Sequence, residues 1–150
     1  MSILLYGATA AGVQGRIGFL TLTTGTEPST TEVAAWLDEY AAEITGLLRA
    51  HGVDPAVVNA GATDEAVELK TVLRGKIETR IAAEVHAANQ AGDTELAARY
   101  VAEWSSFVVT LRRNPDLILA GVGHIVTTRS HTTTGGETAT AAKWSRGMDL

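Results

Sequence analysis

The residues that come nearest to a chemical site by type and spacing stand at the start of the chain. Ile3-Leu4-Leu5-Tyr6 precedes Gly7-Ala8-Thr9-Ala10-Ala11-Gly12-Val13-Gln14-Gly15. A strand, a glycine-rich turn and a helix N-terminus in that order can hold a pyrophosphate on backbone amides. Glu27, after the strand-like Phe19 to Thr24, would then accept the ribose hydroxyls. The glycine spacing, however, is GxxxxGxxG and not GxGxxG. A doubly wound fold also needs strands between its helices, and residues 29 to 114 read as helices with none between them. The plainer reading is a short helix capped by Thr9 and closed by Gly18, with Arg16 on its solvent side.

Other chemistry finds less support. His86 has no Glu, Asp or His three or four residues away on its helix, so neither HExxH nor ExxH is present. His124 and His131 stand seven apart, with no carboxylate at ligand spacing. There is no GxSxG and no P-loop lysine, and no histidine lies near Ser105-Ser106 in sequence. Asp38, Glu39 and Glu43 read as the solvated face of a helix. Without cysteine there is no thiolate metal site, no thiol nucleophile and no disulfide framework. The sequence therefore points to no catalytic residue, no cofactor and no metal.

The elements that would position any site can be read from the same pattern. A chain of 150 residues with 45% hydrophobic and 19% charged residues suits one domain with a core. The longest nearly apolar run, Leu117 to Val126, is broken by glycines and His124 and falls short of the roughly 20 residues a membrane span needs. Met1 to Gly12 lacks the Lys or Arg that opens an export signal. Between residues 29 and 114 three helices are expected. Pro28-Ser29-Thr30-Thr31-Glu32 is a capping box. It opens a helix whose stripe is Val33, Trp36, Leu37, Tyr40, Ile44, Leu47 and Leu48. Arg49 and His51 in its last turn complement the macrodipole, and Gly52 can close it in the left-handed conformation.

A loop from Val53 to Ala62 follows, and then Thr63 or Asp64 caps a second helix running to about Ala91. Its stripe is Ala66, Leu69, Leu73, Ile77, Ile81, Val85 and Ala88, with Val72 beside it. Lys70, Arg74, Glu78, Arg80 and Glu84 fall largely outside that line, and Gly75 is read as a close helix approach. Asp93 caps the third helix, with Glu95 in its first turn. That helix carries Leu96, Tyr100, Trp104, Phe107, Val108 and Leu111 and stops at Asn114-Pro115. The expected class is thus all-α: a small bundle of three main helices plus a short N-terminal helix.

Residues 1–120 form the helical domain on this reading, and residues 121–150 an extended Thr/Gly-rich arm, loose in the free chain and ordered by a partner, the alternative being a plain disordered tail. Gly123 to Thr134 could pair as a strand but cannot bury a face alone. Lys143-Trp144-Ser145-Arg146 sets a tryptophan between two cations, a rigid docking anchor near a terminus. Lys143, Trp144 and Arg146 are the first candidates for partner contact, followed by His124, Ile125, Val126 and Arg129. The net charge is −5, and the acidity is concentrated between residues 26 and 115, which hold fourteen acids against eight bases. Arg112-Arg113 is the only adjacent basic pair, so a single copy has no stripe with which to grip phosphates.

In this order the features are familiar. ATAAGVQGRIGF leads into PSTTEVAAWLDEYAAEITGLLRAHGV, then a charged amphipathic helix, then a third helix ending near a proline. The chain resembles the head-to-tail adaptor (connector) family of long-tailed bacteriophages, especially the Ala-rich members from phages of actinobacteria, over roughly residues 6 to 115. The resemblance rests most on the capped VxxWLxxYxxEIxxLLxxxG helix. It implies a helical subunit of a homo-oligomeric ring of about twelve copies, seated in the virion neck between the portal protein and the stopper or tail-terminator protein and assembled in the host cytoplasm. Double-stranded DNA would pass through such a ring without specific binding. At −5 per copy the ring would carry about −60, which disfavours adhesion to phosphates. The alternatives are a generic helical protein-interaction or regulatory domain and, less favoured, a nucleotide-binding enzyme built on Gly7 to Gly15.

Overall fold

A computed structural model describes residues 3–119. Among these residues there are six helices and no strand, in a small all-α bundle. They are α1 (Ala10–Ile17), α2 (Thr30–Ala50), α3 (Pro55–Ala60), α4 (Asp64–Ala88), α5 (Thr94–Arg113) and α6 (Asp116–Leu119).

Local chemistry sets most of the helix ends. The Thr9 hydroxyl accepts from the Gly12 amide and Gly18 takes the left-handed conformation, so α1 is capped at both ends as its sequence predicts. The capping box of α2 forms in both directions between Ser29 and Glu32. Thr63 accepts from the Ala66 amide and Asp93 from the Leu96 amide, which starts α4 and α5. The segment from Val53 to Ala62 is not simply a loop. Asp54 caps it, Pro55 occupies the first turn and Gly61 closes it at φ 63°, so one and a half turns of helix form there.

Helix α4 is the axis of the bundle and packs against α1, α2, α3 and α5. Leu73, Ile77, Ile81 and Val85 are fully buried, surrounded by Val33, Ile44 and Leu48 of α2, Leu111 of α5 and Val13 of α1. Each such side chain contributes about 1.5–3 kcal/mol by leaving water. A helix flanked on several sides cannot bury one stripe alone. Glu78, Ala82, Ala83 and His86 are therefore buried too, and Glu78 does not share the solvated positions expected for it. The N-terminal segment also joins the core: Tyr6 is fully buried and its amide donates to Asn59 Oδ1 at 2.8 Å.

Two further expectations are corrected. Residues 19 to 24 form no strand; the Gln14 side chain holds them instead, its amide donating to the Leu20 carbonyl while its oxygen accepts from the Leu22 amide at 2.7 Å. One glutamine thus supplies the donor and acceptor that a neighbouring strand would have offered. Helix α4 ends at Ala88, short of Ala91, because Asn89 turns extended. Its side chain donates to the Glu27 carbonyl at 2.7 Å and accepts from the Ala91 amide at 2.9 Å.

The tightest helix approach is at Gly12. A Cβ there would fall within the Glu78 carboxylate, whereas one at Gly75 would meet Arg16 Nη2 at an ordinary 3.9 Å. Gly15, on the same helix, faces open space. Gly12→Ala is therefore expected to destabilise the fold by about 2 kcal/mol, the cost of displacing the Glu78 carboxylate from its partners. Gly15→Ala should be neutral or stabilise by up to ~1 kcal/mol through helix propensity. Urea unfolding followed by circular dichroism checks the pair; equal effects at the two glycines would contradict the packing.

Candidate functional site

The glycine-rich opening segment is where an anion would be sought, and an anion is there, supplied by the chain itself. Glu78, only 3% exposed, reaches from α4 to the start of α1. Its Oε1 accepts from the Thr9 amide at 3.0 Å, and its Oε2 accepts from Arg16 Nη1 at 2.7 Å. Arg16 also donates through Nη1 to the Gly12 carbonyl at 2.9 Å and through Nε to Thr79 Oγ1 at 3.2 Å. Arg16 thus leaves the solvent side expected for it and lies across the α1–α4 contact.

A buried carboxylate is costly unless paired and hydrogen-bonded. Here it has the positive end of a helix dipole, a backbone donor and a guanidinium. The Arg16 side chain is 34% exposed, so water screens part of that attraction. What this arrangement can do chemically is hold α1 in place. The amide position that a bound phosphate would use is taken.

A second polar cluster joins α2, α4 and α5. The Tyr40 hydroxyl donates to Glu84 Oε1 at 2.7 Å, and the same oxygen accepts from Arg80 Nη1 at 2.8 Å. The Arg80 guanidinium stacks 4.8 Å from the Tyr40 ring centre, and Trp104 meets that ring edge-on at 5.4 Å. Burial, then the hydrogen bond to Glu84, push the Tyr40 phenol well above its usual value of 10 despite the Arg80 charge. Tyr6, hydrogen-bonded to the Thr45 hydroxyl, is also raised, burial outweighing the Thr45 bond and the Arg49 charge.

His86 is buried between Phe19, at 4.9 Å between ring centres, and Tyr100, at 6.5 Å. Its Nδ1 accepts from the Asp93 amide at 3.0 Å, which fastens the α4–α5 turn. Nε2 has no hydrogen-bond partner among the described residues. Among these residues no group of three His, Asp or Glu side chains comes together as a metal site would require. Ser105 and Ser106 are exposed on α5, as are Asp38 and Glu39 on α2.

One concave surface is mainly apolar. Between α4, α5 and α6 runs an open groove of about 370 Å³ lined by Leu69, Val72, Phe107, Leu117 and Ile118, with Glu68 and Lys76. A shallower hollow of about 230 Å³ adjoins it beside Glu103, Ser106 and Thr110. Lys76 Nζ lies 5.8 Å from the Phe107 ring centre, above its face. The partner-contact candidates Lys143, Trp144, Arg146, His124, Ile125, Val126 and Arg129 lie outside the described residues.

Comparison with family models, curated proteins and solved structures finds no match to this chain. The residues that carry the polar sites, Glu78, Arg16 and Tyr6, were not singled out by sequence spacing, since their partners lie 39 to 69 positions away. A charged residue one turn away from an apolar stripe is the only local hint, and it is a common one.

Two expectations follow. Glu78→Ala should cost about 2 kcal/mol, reduced from a fully buried pair by the exposure of Arg16. Glu78→Gln should cost about half that, because an amide oxygen still accepts from Thr9. Hydrogen exchange should show the α1 amides opening first in both variants; unchanged protection of α1 would remove Glu78 as its anchor. For the tyrosines, folded-state values above 10 mean stabilisation fully present below pH 10 and lost as pH rises through the folded values. Absorbance titration at alkaline pH should show Tyr6 and Tyr40 ionising only as the protein unfolds. Full ionisation of all three tyrosines by a still-helical protein would contradict it.

Proposed function

We propose that this protein is a structural subunit, a head-to-tail adaptor that builds a ring between the portal and the stopper or tail-terminator proteins of a long-tailed phage. The capped second helix and its order among the other elements support the reading, as the sequence resemblance implies. The observation that carries it is a flank of α5. Ala98, Val101, Ala102, Ser105 and Val109 follow helical spacing, are exposed and include no charge. Val101 is 38% and Val109 48% exposed. A neighbouring copy is the partner such a flank suits, since charged residues are depleted where contact surfaces close.

The size of the flank bears on how the ring would form. From Ala98 to Val109 it runs about 18 Å and, at a helix width of ~10 Å, offers about 200 Å². A stable interface needs about 800 Å² per partner. Subunits of this kind stay monomeric in isolation and close into a ring on a template, the portal, where many weak contacts act together. The acidic body suits a channel in which DNA slides without adhering. The described residues contribute to this by shape and charge, and no bond-making step is assigned to them.

Electron microscopy of the protein mixed with the portal protein from the same genome should show a ring added to the narrow end of the portal. Val101→Asp combined with Val109→Asp should abolish that ring while changing urea stability by about 0.5 kcal/mol or less, as for exposed sites. Failure of the unaltered chain to bind any portal or tail component would refute the reading.

A further inference from the structure

We propose that residues 19–22 form a hinged cover over the joint of α4 and α5, latched by Gln14 and opening to bare His86. The inference stands apart from the adaptor reading and uses no partner.

The cover is fixed at both ends and held lightly between them. At its near end Gly18 is left-handed at φ 68°, with open space where a side chain would stand. Glycine turns there without steric cost, as a hinge must. At its far end the Thr23 carbonyl accepts from the Thr30 amide at 2.9 Å, and the Thr23 amide donates to Thr26 Oγ1 at 3.0 Å. These bonds tie the strap to the start of α2. Between the two points Gln14 supplies the latch, one side chain that donates to the Leu20 carbonyl and accepts from the Leu22 amide. Thr21, in the middle, is exposed.

What lies beneath is the second observation. The Phe19 ring, at the hinge end of the strap, is 4.9 Å from the His86 imidazole, and His86 is only 3% exposed. His86 Nδ1 holds the Asp93 amide, and the Asp93 carboxylate caps α5 by accepting from the Leu96 amide at 3.0 Å. The Gly92 backbone packs so closely on the His86 carbonyl that a Cβ at Gly92 would overlap it. The joint is therefore tight on its α4–α5 side, and the strap is the side from which it is reached.

The energetics suit a cover that is mostly shut. Phe19, Leu20 and Leu22 are half-buried against the core, which favours the closed state. His86 Nε2, buried without a partner among the described residues, gains a hydrogen bond to water when the strap lifts. That gain offsets part of the lost apolar burial, so the open state is a populated minority reached without unfolding the bundle.

Diethyl pyrocarbonate at one fixed pH reads the cover, since it modifies a histidine only where it reaches the ring. Peptide mapping separates His86 from His51, His124 and His131. In the unaltered chain the His86 rate should stay constant within about twofold from zero urea to the foot of the unfolding transition, because local opening exposes little surface. A rate that climbs with urea in parallel with global unfolding would overturn the proposal. Gln14→Ala, which removes both bonds of the latch, should raise the His86 rate about tenfold and leave that of His51 unchanged. Equal His86 rates in the two proteins would count against it as well. Hydrogen exchange distinguishes the cover from the joint: the Leu22 amide should exchange at least about a hundredfold faster than the Asp93 amide. Exchange of both at one rate would assign the opening to the α4–α5 turn and refute the cover. The urea series and the exchange measurement use the unaltered chain, so they decide the matter even where Gln14→Ala does not fold.

Discussion

The fold turns on one buried carboxylate. Glu78 lies on the helix that every other long element touches, and a charge at such a place has to be answered from several directions at once. It is answered by the start of α1 and by Arg16 from the second turn of the same helix. That double grip explains why α1, only eight residues long and too short to be stable alone, has a defined position. It also explains why residue 12 is a glycine: the carboxylate occupies the space of its side chain. The Gln14 clasp on residues 20 and 22 extends the same helix's influence to the segment that leads into α2. The apolar contacts of Val13 and Ile17 supply most of the energy, and Glu78 selects which arrangement they adopt.

The same logic governs the other polar groups inside the bundle. Tyr40, Arg80 and Glu84 satisfy one another where α2, α4 and α5 meet, and His86 takes an amide from the α4–α5 turn. Apart from His86 Nε2, which has no partner among the described residues, these groups spend their hydrogen bonds on joining elements. A catalytic arrangement would show the reverse: side chains converging on a space, with perturbed acids and bases aimed into it. The groove between α4, α5 and α6 is lined mainly by Leu, Val, Ile and Phe, and the Tyr40–Arg80–Glu84 and Arg16–Glu78 networks lie elsewhere.

Local chemistry was legible in the sequence, and long-range chemistry was not. The Ser29–Glu32 box, the Thr9, Thr63 and Asp93 caps and the Gly18 and Gly52 closures each depend on residues within four positions, and all are present. The stripes of α2, α4 and α5 are buried or half-buried as their spacing predicts, except Ala88 at the end of α4 and Val72 beside its stripe, which are exposed. The Asp54-Pro55…Gly61 signature of α3 was equally local, but a six-residue helix is easily read as a glycine-bearing loop. The Arg16–Glu78 pair could not be found this way. Its members stand 62 positions apart, and each by itself matches a solvated helical charge. The strand-like appearance of Phe19 to Thr24 misled for a related reason, since an extended segment needs partners for its backbone but the pattern does not say whether they come from a strand or from one glutamine.

The start of α1 differs in one respect from a glycine-rich phosphate site. In the glycine-rich enzyme pattern the helix start is left open so that a diffusing phosphate can complete it. Here the completing anion is covalently part of the fold, and displacing it would expose a buried carboxylate, release Arg16 and undo the seat of α1 together. A ligand would have to supply more than the whole of that cost before binding at all. The tight fit of Gly12 against Glu78 leaves no room for a second anion at this position. Two apolar surfaces stand apart from these networks: the uncharged α5 flank and the groove beside α6, where Glu68 and Lys76 flank aliphatic and aromatic side chains. Such surfaces distinguish partners by shape and by burial of aliphatic side chains, which suits contacts between subunits better than recognition of a small polar substrate.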